Sequence, residues 1–429
     1  MKRALVWLTT DLRLRDNETL ARAMEHAEQI IPVICLAPAD LAQTPFGFPK
    51  MGYFRIRFFF EALRDLDQQL RVLGSGLILS LDSPENAIPS LAKAYQADYV
   101  YTKEQVGFEE LLVQAQIRKS LRENAVALET VPNSTLYHPE DLPFALSDLP
   151  DIFTQFRLAL EKNSACRPCL DALKHINSPE IPPLQIPRYS DLGLQEIPLD
   201  PRNAFPFEGG ERAGLARLKD YLFGTRAALT YKETRNGLLG ADYSTKFSAY
   251  LAIGCISARD IFWTLKRFEA QVEANESTYW IVFELLWRDY FWFLMKKRPQ
   301  AYFLQTGLLG SKSQLHGLDP GLLTAWIQGK TGQAFIDANM RELAQTGFMS
   351  NRGRQNAASY FCHTLRQDWR YGAAYFESQL VDYDVASNWG NWAYVAGVGN
   401  DPRPDRRFNI EKQAALYDPN QTYQNLWLH

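Results

Sequence analysis

The sequence has few cysteines, no long apolar run and no targeting signal. Its five cysteines are scattered and odd in number, which argues against a disulfide framework and favours a reducing compartment. The N-terminal apolar run stops at Thr9 and Asp11, too early for a signal peptide, and no stretch approaches the roughly 20 apolar residues of a membrane helix. We therefore expect a cytoplasmic protein with no membrane contact, and we also expect it to be a monomer.

Metal-binding and dinucleotide-binding motifs are also missing. Cys166 and Cys169 form a close pair, but no second pair or clustered histidine completes a zinc site, so we expect no metal. No G-x-G-x-x-G motif follows the first apolar run. The net charge is only −3, so any nucleic-acid binding has to come from a local basic surface.

Aromatic residues are abundant, at 13% with ten tryptophans, which suggests ring-shaped ligands as well as core packing. Residues 1–131 alternate the apolar runs ALVWLTT, IIPVICLAP, GLILSLD, ADYVYTK and VALETV with helical patterns, which predicts a doubly wound α/β domain with a parallel sheet. Residues 132–208 hold twelve of the 23 prolines and predict a long connector. Residues 209–429 are almost entirely helical in pattern and predict a larger all-α domain.

A carboxylate lies within an aromatic stripe in NESTYWIVFELLWRDYFWFLM. Helical spacing places Trp280, Glu284, Trp287, Arg288 and Phe291 on one side. Spacing alone favours a packed helix in which Glu284 and Arg288 form an i,i+4 pair. The alternative is a pocket wall, where tryptophan stacks on a ring and the carboxylate accepts hydrogen bonds from that ring's polar edge.

Two further stretches pair basic with acidic residues. In TGFMSNRGRQN, Arg352 and Arg354 point about 200° apart on a helix, so each needs its own partner. Asp382 and Asp384 in VDYDVASN are either those partners or helix caps. The serines and threonine around Lys246 in DYSTKFS either hold phosphate or cap a helix. SNWGNWAYVAGVGND crowds large rings onto what we expect to be a flexible, glycine-rich loop.

Together these stretches resemble the photolyase and cryptochrome family of blue-light flavoproteins. STKFSAYLAIGCIS, FELLWRDYF, DANMREL, TGFMSNRGRQN and DYDVASNWGNWAY occur in the family's order, and the resemblance covers essentially the whole chain. LPDIFTQFR and AGVGNDPRPDRRFNI resemble the cryptochrome-DASH branch. The resemblance implies an N-terminal antenna-type domain and a helical domain that binds FAD beneath a cavity for damaged DNA bases.

The resemblance also implies a role for each matching residue. FAD binding is implied for Tyr231, Ser244, Thr245, Lys246, Phe247, Ser248, Asp384 and Asn388. It is also implied for a pair formed by Arg354 and Asp382. Asn388 would face the flavin N5 atom in the catalytic centre. Contact with a cyclobutane pyrimidine dimer is implied for Glu284, Trp287 and Tyr394, contact with DNA phosphates for Arg235, Asn351 and Arg352, and electron transfer for Trp392 and Trp369.

The implied activity is that of a photolyase-type lyase. Excited reduced flavin gives an electron to the dimer, both cyclobutane bonds break, and the electron returns. Tyr394 stands where enzymes acting on duplex DNA usually have a second tryptophan. Because a smaller ring offsets less of the cost of unpairing a base, we expect a preference for single-stranded DNA. The alternative is a blue-light photoreceptor with little repair activity, although the chain's end soon after the expected fold favours the enzyme.

Two positions depart from the family pattern. His316 stands where the outer of three electron-transferring tryptophans is expected, and since imidazole is a poor electron donor we expect an exposed Tyr or Trp nearby to replace it. EQVGFEEL partly resembles the stretch whose carboxylate contacts a 5,10-methenyltetrahydrofolate antenna, which makes Glu109 and Glu110 candidate contacts. A solvated acidic helix start is the alternative explanation of that stretch.

Overall fold

A computed structural model describes residues 1–310, 316–401 and 407–429, and its first part is built on a parallel sheet. The strands are β1 (Arg3–Leu8), β2 (Gln29–Cys35), β3 (Ile78–Ser80), β4 (Tyr99–Lys103) and β5 (Ala127–Val131). They pair in the order β3-β2-β1-β4-β5, and every pair is parallel. The predicted fold class, a doubly wound α/β domain followed by a helical domain, is confirmed.

The helices of this part are α1 (Glu18–His26), α2 (Pro38–Leu41), α3 (Tyr53–Val72), α4 (Pro84–Ala94) and α5 (Phe108–Arg122), and α1, α4 and α5 pack on the strands. Alternate residues of β1 belong to different cores, because Val6 joins the large hydrophobic cluster while Leu5 and Trp7 join a second one. A strand buried on both faces reads as a nearly continuous apolar run, which explains why these strands could be predicted from the sequence.

The elements of regular secondary structure in the rest of the described chain are helices. Its helices are α6 (Phe153–Asn163), α7 (Glu211–Lys219), α8 (Tyr231–Thr234), α9 (Ser248–Ile253), α10 (Ala258–Gln271), α11 (Glu276–Lys297), α12 (Pro320–Ile327), α13 (Ala334–Thr346), α14 (Asn351–Ser359), α15 (Trp369–Gln379), α16 (Val385–Val395), α17 (Ile410–Tyr417) and α18 (Thr422–Leu428). The proline-rich segment is therefore not purely a connector, since it contains α6. None of the described helices has the length and apolar character that a membrane span requires.

The prediction of a loop at SNWGNWAY is wrong, because residues 385–395 form α16. Asp384 caps this helix by accepting a hydrogen bond from the backbone nitrogen of Ser387 at 2.8 Å. A Cβ atom on Gly390 would collide with the ring of Phe291, so this glycine permits close packing of α16 against α11. The left-handed backbone that favours glycine begins only after the helix, at Gly397.

Two buried carboxylates of the helical part accept backbone hydrogen bonds from the segments beside the sheet. Glu211 accepts from the backbone nitrogen of Arg15 at 2.8 Å. Asp289 on α11 accepts from the backbone nitrogens of Leu136 and Tyr137, both at 3.0 Å. Burial raises the pKa of Asp289 to about 7. The two Asp289 contacts fix α11, and with it one wall of the cavity described below, against the segment that follows β5.

Replacing Asp289 tests this attachment. Asp289→Ala leaves two buried backbone N–H groups without an acceptor, so we expect the free energy of unfolding to fall by about 2–4 kcal/mol. Urea denaturation followed by circular dichroism measures the loss. Asp171→Ala, at an exposed position, is the control and should leave the unfolding midpoint unchanged. An equal midpoint for Asp289→Ala and the wild type would contradict this account.

Candidate functional site

A cavity of about 400 Å³ opens among α8, α11, α14, α16 and the loop before α9. It brings together most of the residues singled out from the sequence: Tyr231, Arg235, Ser244, Thr245, Lys246, Phe247, Ser248, Glu284, Trp287, Asn351, Arg354, Asp382, Asp384 and Tyr394. An adjoining cavity of about 110 Å³ shares part of this wall and adds Asn388 and Trp392. Arg352, Trp369, Glu109 and Glu110 line neither cavity.

Loop 244–248 is held by an arginine that the sequence analysis missed. The Arg217 guanidinium on α7 donates to the carbonyl oxygens of Ser244 and Thr245 at 3.2 and 3.1 Å and pairs with Asp242 at 2.8 Å. Only 3% of its side chain is exposed. No local pattern announces this contact, because Arg217 lies on a separate helix earlier in the chain. Its effect is to fix the loop's backbone along the cavity wall.

Lys246 is a buried cation within this loop. Its Nζ atom lies 3.2 Å from the centroid of the Tyr243 ring and has no hydrogen-bond partner among the described residues. Burial lowers the pKa of Lys246 well below its ordinary value, against an opposing effect from Glu342. Glu342 in turn accepts a hydrogen bond from the Tyr423 hydroxyl at 2.6 Å. Buried charges are costly unless a partner compensates them, so this part of the wall suits a polar, anionic ligand.

An ion pair closes the polar end of the cavity. Arg354 on α14 contacts Asp382 at 2.8 Å, and its Nε atom donates to the Met349 carbonyl oxygen at 2.9 Å. Ser248 donates its hydroxyl to the same Asp382 oxygen at 2.6 Å. The other oxygen, Oδ1, is buried and has no hydrogen-bond partner among the described residues. That free acceptor is available to a ligand.

The two arginines of α14 do reach different partners. Arg354 binds Asp382, whereas Arg352 donates to Gln355 at 2.9 Å and to Asn236 at 3.0 Å. Arg352 also lies over the Tyr417 ring, 4.6 Å from its centroid. The divergence expected from helical spacing is therefore present.

Asp384 and Asn388 lie on the α16 side of the cavities. Asp384 caps α16, as one of its two interpretations from the sequence expects, and it also lines both cavities. The Asn388 side chain donates from Nδ2 to the Ala373 carbonyl oxygen at 3.0 Å, which fixes its orientation at the edge of the smaller cavity.

The opposite end of the cavity is aromatic. The rings of Trp287 and Tyr394 meet edge to face, with centroids 5.9 Å apart and planes at 76°. Phe153 on α6 stacks on Trp287 with centroids 3.7 Å apart and planes at 12°, a contact that the sequence analysis missed. Phe153 therefore covers one face of the Trp287 ring.

Glu284 lies beside these rings but does not pair with Arg288. Arg288 donates instead to the Ser134 carbonyl oxygen at 2.5 Å, so the i,i+4 pair favoured by spacing is not formed. Glu284 contacts Arg235, which also lies over the Trp280 ring at 5.0 Å. Burial raises the pKa of Glu284, and the charge on Arg235 opposes that rise.

The two tryptophans expected to transfer electrons are both buried, Trp392 on α16 and Trp369 on α15. Trp392 packs against Phe376, with centroids 5.0 Å apart, and against Gly372 on α15. Trp369, the first residue of α15, donates from Nε1 to the Gln305 carbonyl oxygen at 3.0 Å. The Gln305 side chain donates to the His316 carbonyl oxygen at 2.5 Å, so His316 lies near Trp369.

The two candidate antenna carboxylates lie in the first turn of α5, away from both cavities. Glu109 is largely exposed and pairs with Lys50. Glu110 is half-buried, and burial raises its pKa. The start of α5 is therefore acidic, as the alternative explanation of this stretch expects, but only one of its two carboxylates is well solvated.

The cavity's residues fit a FAD molecule. The volume of the larger cavity lies in the roughly 300–1,000 Å³ range of small-molecule sites. Buried polar atoms without protein partners, Lys246 Nζ and Asp382 Oδ1, are on its wall and match phosphate and polar ring-edge groups. The larger cavity extends beyond this polar region to Trp287 and Tyr394, which leaves an aromatic part for a second ligand. Within the described residues, no group of three or more His, Cys, Asp or Glu side chains is placed to hold a metal ion.

Comparison with known proteins gives the family. Residues 4–179 match the DNA photolyase family model, and residues 280–429 match the model for the FAD-binding domain of DNA photolyase. Cryptochrome DASH from Gloeobacter violaceus is 46% identical over 428 residues, covering 100% of this chain and 85% of the relative.

Solved structures agree with these matches. A Synechocystis cryptochrome superposes with a TM-score of 0.95 at 45% identity, covering 100% of this chain and 89% of that one. A class III photolyase from Agrobacterium tumefaciens superposes with a TM-score of 0.83 at 26% identity, covering 100% and 86%. The chain therefore belongs to the cryptochrome-DASH branch of the photolyase and cryptochrome family, whose members are blue-light flavoproteins.

Proposed function

We propose that this protein uses blue light to split cyclobutane pyrimidine dimers, preferentially in single-stranded DNA. The observation that carries the proposal is the composition of one continuous cavity. Its polar end contains loop 244–248 and the Arg354–Asp382 pair, and its aromatic end contains Trp287 and Tyr394. A cofactor and a pair of unstacked bases can therefore occupy adjacent parts of the same cavity.

The polar end is suited to hold FAD in one orientation. When bound and reduced, FAD supplies the photoexcited electron for dimer splitting. Met349 and Asp382 fix the Arg354 guanidinium, and Ser248 fixes one oxygen of Asp382, so these groups are in place before a ligand arrives. Such preorganisation reduces the entropy lost on binding.

The aromatic end is suited to unstacked bases. Phe153 covers one face of Trp287, so a base can stack only on the other face, and Tyr394 stands edge-on beside it. Glu284 supplies a carboxylate that can accept hydrogen bonds from a base edge. Because Arg235 contacts Glu284, we propose that Arg235 turns away when a dimer enters and then faces a DNA phosphate.

The identity of Tyr394 supports the preference for single strands. Extracting a base pair from a duplex costs a few kcal/mol, which pocket contacts have to offset. Stacking on an aromatic side chain contributes roughly 1–3 kcal/mol per base, and a smaller ring contributes less than a larger one. A tyrosine at position 394 therefore offsets less of the cost of extracting a base pair than a tryptophan would. A dimer in a single strand has no pairing to lose.

Oligonucleotides that contain one thymine dimer test the proposal directly. The reduced holoprotein is illuminated with single-stranded or duplex substrate, and restored thymine is quantified by chromatography. We expect repair of the single strand to be faster by about tenfold or more at limiting protein, since unpairing costs a few kcal/mol. Equal rates would contradict the strand preference. No repair of either substrate would favour the photoreceptor alternative.

Enlarging Tyr394 should change the strand preference. Tyr394→Trp should raise duplex repair by about fivefold, because about 1 kcal/mol of additional stacking corresponds to that factor. The same assay measures the ratio of duplex to single-strand rates. Tyr279→Trp, at an exposed position of α11, is the matched control and should leave the ratio unchanged. An unchanged ratio in Tyr394→Trp would show that this ring does not set the preference.

Removing the charge of Asp382 should weaken FAD binding. Asp382→Asn keeps the side-chain size but loses the ion pair to Arg354, so we expect the FAD dissociation constant to rise by about tenfold to a hundredfold. Titration of the apoprotein with FAD, followed by fluorescence quenching, measures the constant. Asp368→Asn is the matched control, because Asp368 pairs with Arg370 at 2.7 Å outside the cavity. Equal losses in both variants would contradict a specific role for Asp382.

A further inference from the structure

Trp389 has no role assigned by the family resemblance, yet it contacts the buried Trp369. The two rings meet edge to face, with centroids 5.8 Å apart and planes at 75°. Trp389 is only 4% exposed and packs on Phe303 as well, with centroids 4.9 Å apart. Electron transfer between indoles in contact is fast because its rate falls steeply with distance. An oxidised Trp369 therefore has an electron donor beside it.

The hydrogen bonds of the two indoles differ in what they can do after oxidation. The Nε1–H group of Trp369 donates to a backbone carbonyl oxygen, that of Gln305, which is not a base that can take the proton. The Nε1–H group of Trp389 donates to the Glu377 carboxylate at 3.1 Å. Losing an electron makes an indole N–H group strongly acidic. Only Trp389 of this pair has a carboxylate placed to receive that proton.

The surroundings of Glu377 make it a better base than an exposed glutamate. Burial raises its pKa to about 7, with Arg55 and Lys50 lowering it and Glu110 raising it further. Its backbone carbonyl oxygen accepts a hydrogen bond from Arg55 at 3.4 Å, which ties this turn of α15 to α3. Above that pKa the carboxylate is ionised and can bind a proton.

We propose that Trp389 is the terminal electron donor to the flavin and that Glu377 takes its proton. This inference rests on the proposed FAD site, since the photoexcited oxidised flavin is the oxidant. Trp392 and Trp369 pass the electron inward, and one electron then moves from Trp389 to the Trp369 radical cation, restoring neutral Trp369. The Nε1–H bond of Trp389 breaks and an O–H bond forms on Glu377, which leaves a neutral indolyl radical and a carboxylic acid.

This step takes the place of the outer tryptophan that His316 does not supply. In a relay that ends at the protein surface, the last radical loses its proton to water. Trp389 is buried, so its radical is trapped by Glu377 instead. Return of the electron then requires return of the proton, which slows recombination.

Transient absorption of the holoprotein with oxidised flavin, without DNA, tests the proposal. In the wild type we expect a long-lived neutral tryptophan radical whose formation slows in D₂O. Trp389→Phe should lose this species, and recombination should be faster by at least about tenfold. Glu377→Gln still accepts the hydrogen bond but cannot take the proton, so it should show the radical cation in place of the neutral radical. A neutral radical with wild-type yield and lifetime in both variants would overturn the proposal.

Four further measurements keep the result interpretable. Trp263→Phe removes an indole that also donates to a backbone carbonyl oxygen, that of Arg167, and should leave the signal unchanged. Trp369→Phe should abolish it. Ultraviolet resonance Raman spectra of the unilluminated protein report the Trp389 hydrogen bond and should shift in Glu377→Gln. Dimer repair by chemically reduced wild-type protein bypasses the relay, so failure of the proposed function is distinguishable from failure of this inference.

Discussion

The contact between Arg354 and Asp382 determines the geometry of the whole polar end of the cavity. It joins α14 to the segment before α16, and the hydroxyl of Ser248 at the start of α9 shares the same carboxylate. Removing one partner of a buried ion pair costs roughly 3–5 kcal/mol, because the other charge is left without compensation. Arg354 is partly exposed to the cavity, so the cost of breaking this pair lies toward the lower end of that range. Loop 244–248, α14 and α16 therefore depend on this pair for their relative positions.

Around that pair the protein buries more charge than its own contacts compensate. Lys246 has no protein hydrogen-bond partner within the described ranges, and burial raises the pKa of Glu342 to about 7. Such groups reduce the stability of the protein alone and are compensated when a polar ligand binds. The hydrogen bond from Tyr423 to Glu342 extends this cluster to α18. Cofactor binding and the packing of the last helix are consequently linked through buried polar groups.

The sequence predicted the sheet well, because strands buried on both faces leave a continuous apolar pattern. It also predicted that Arg352 and Arg354 diverge, since helical spacing alone decides that. It failed where contacts join distant segments. Phe153 stacks on Trp287, and Arg217 holds loop 244–248, although neither contact leaves a local pattern. The glycine-rich stretch SNWGNWAYVAGVGND suggests a loop, whereas residues 385–395 form a helix in which Gly390 permits close packing against Phe291.

The central claim is that one cavity places a bound dimer next to the flavin. The excited-state lifetime of the reduced flavin measures this directly, because a dimer within electron-transfer distance shortens it. The account predicts that a single-stranded oligonucleotide with one thymine dimer shortens the lifetime, while the same sequence without the dimer leaves it unchanged. A lifetime that stays the same when the dimer-containing strand is bound would contradict the account.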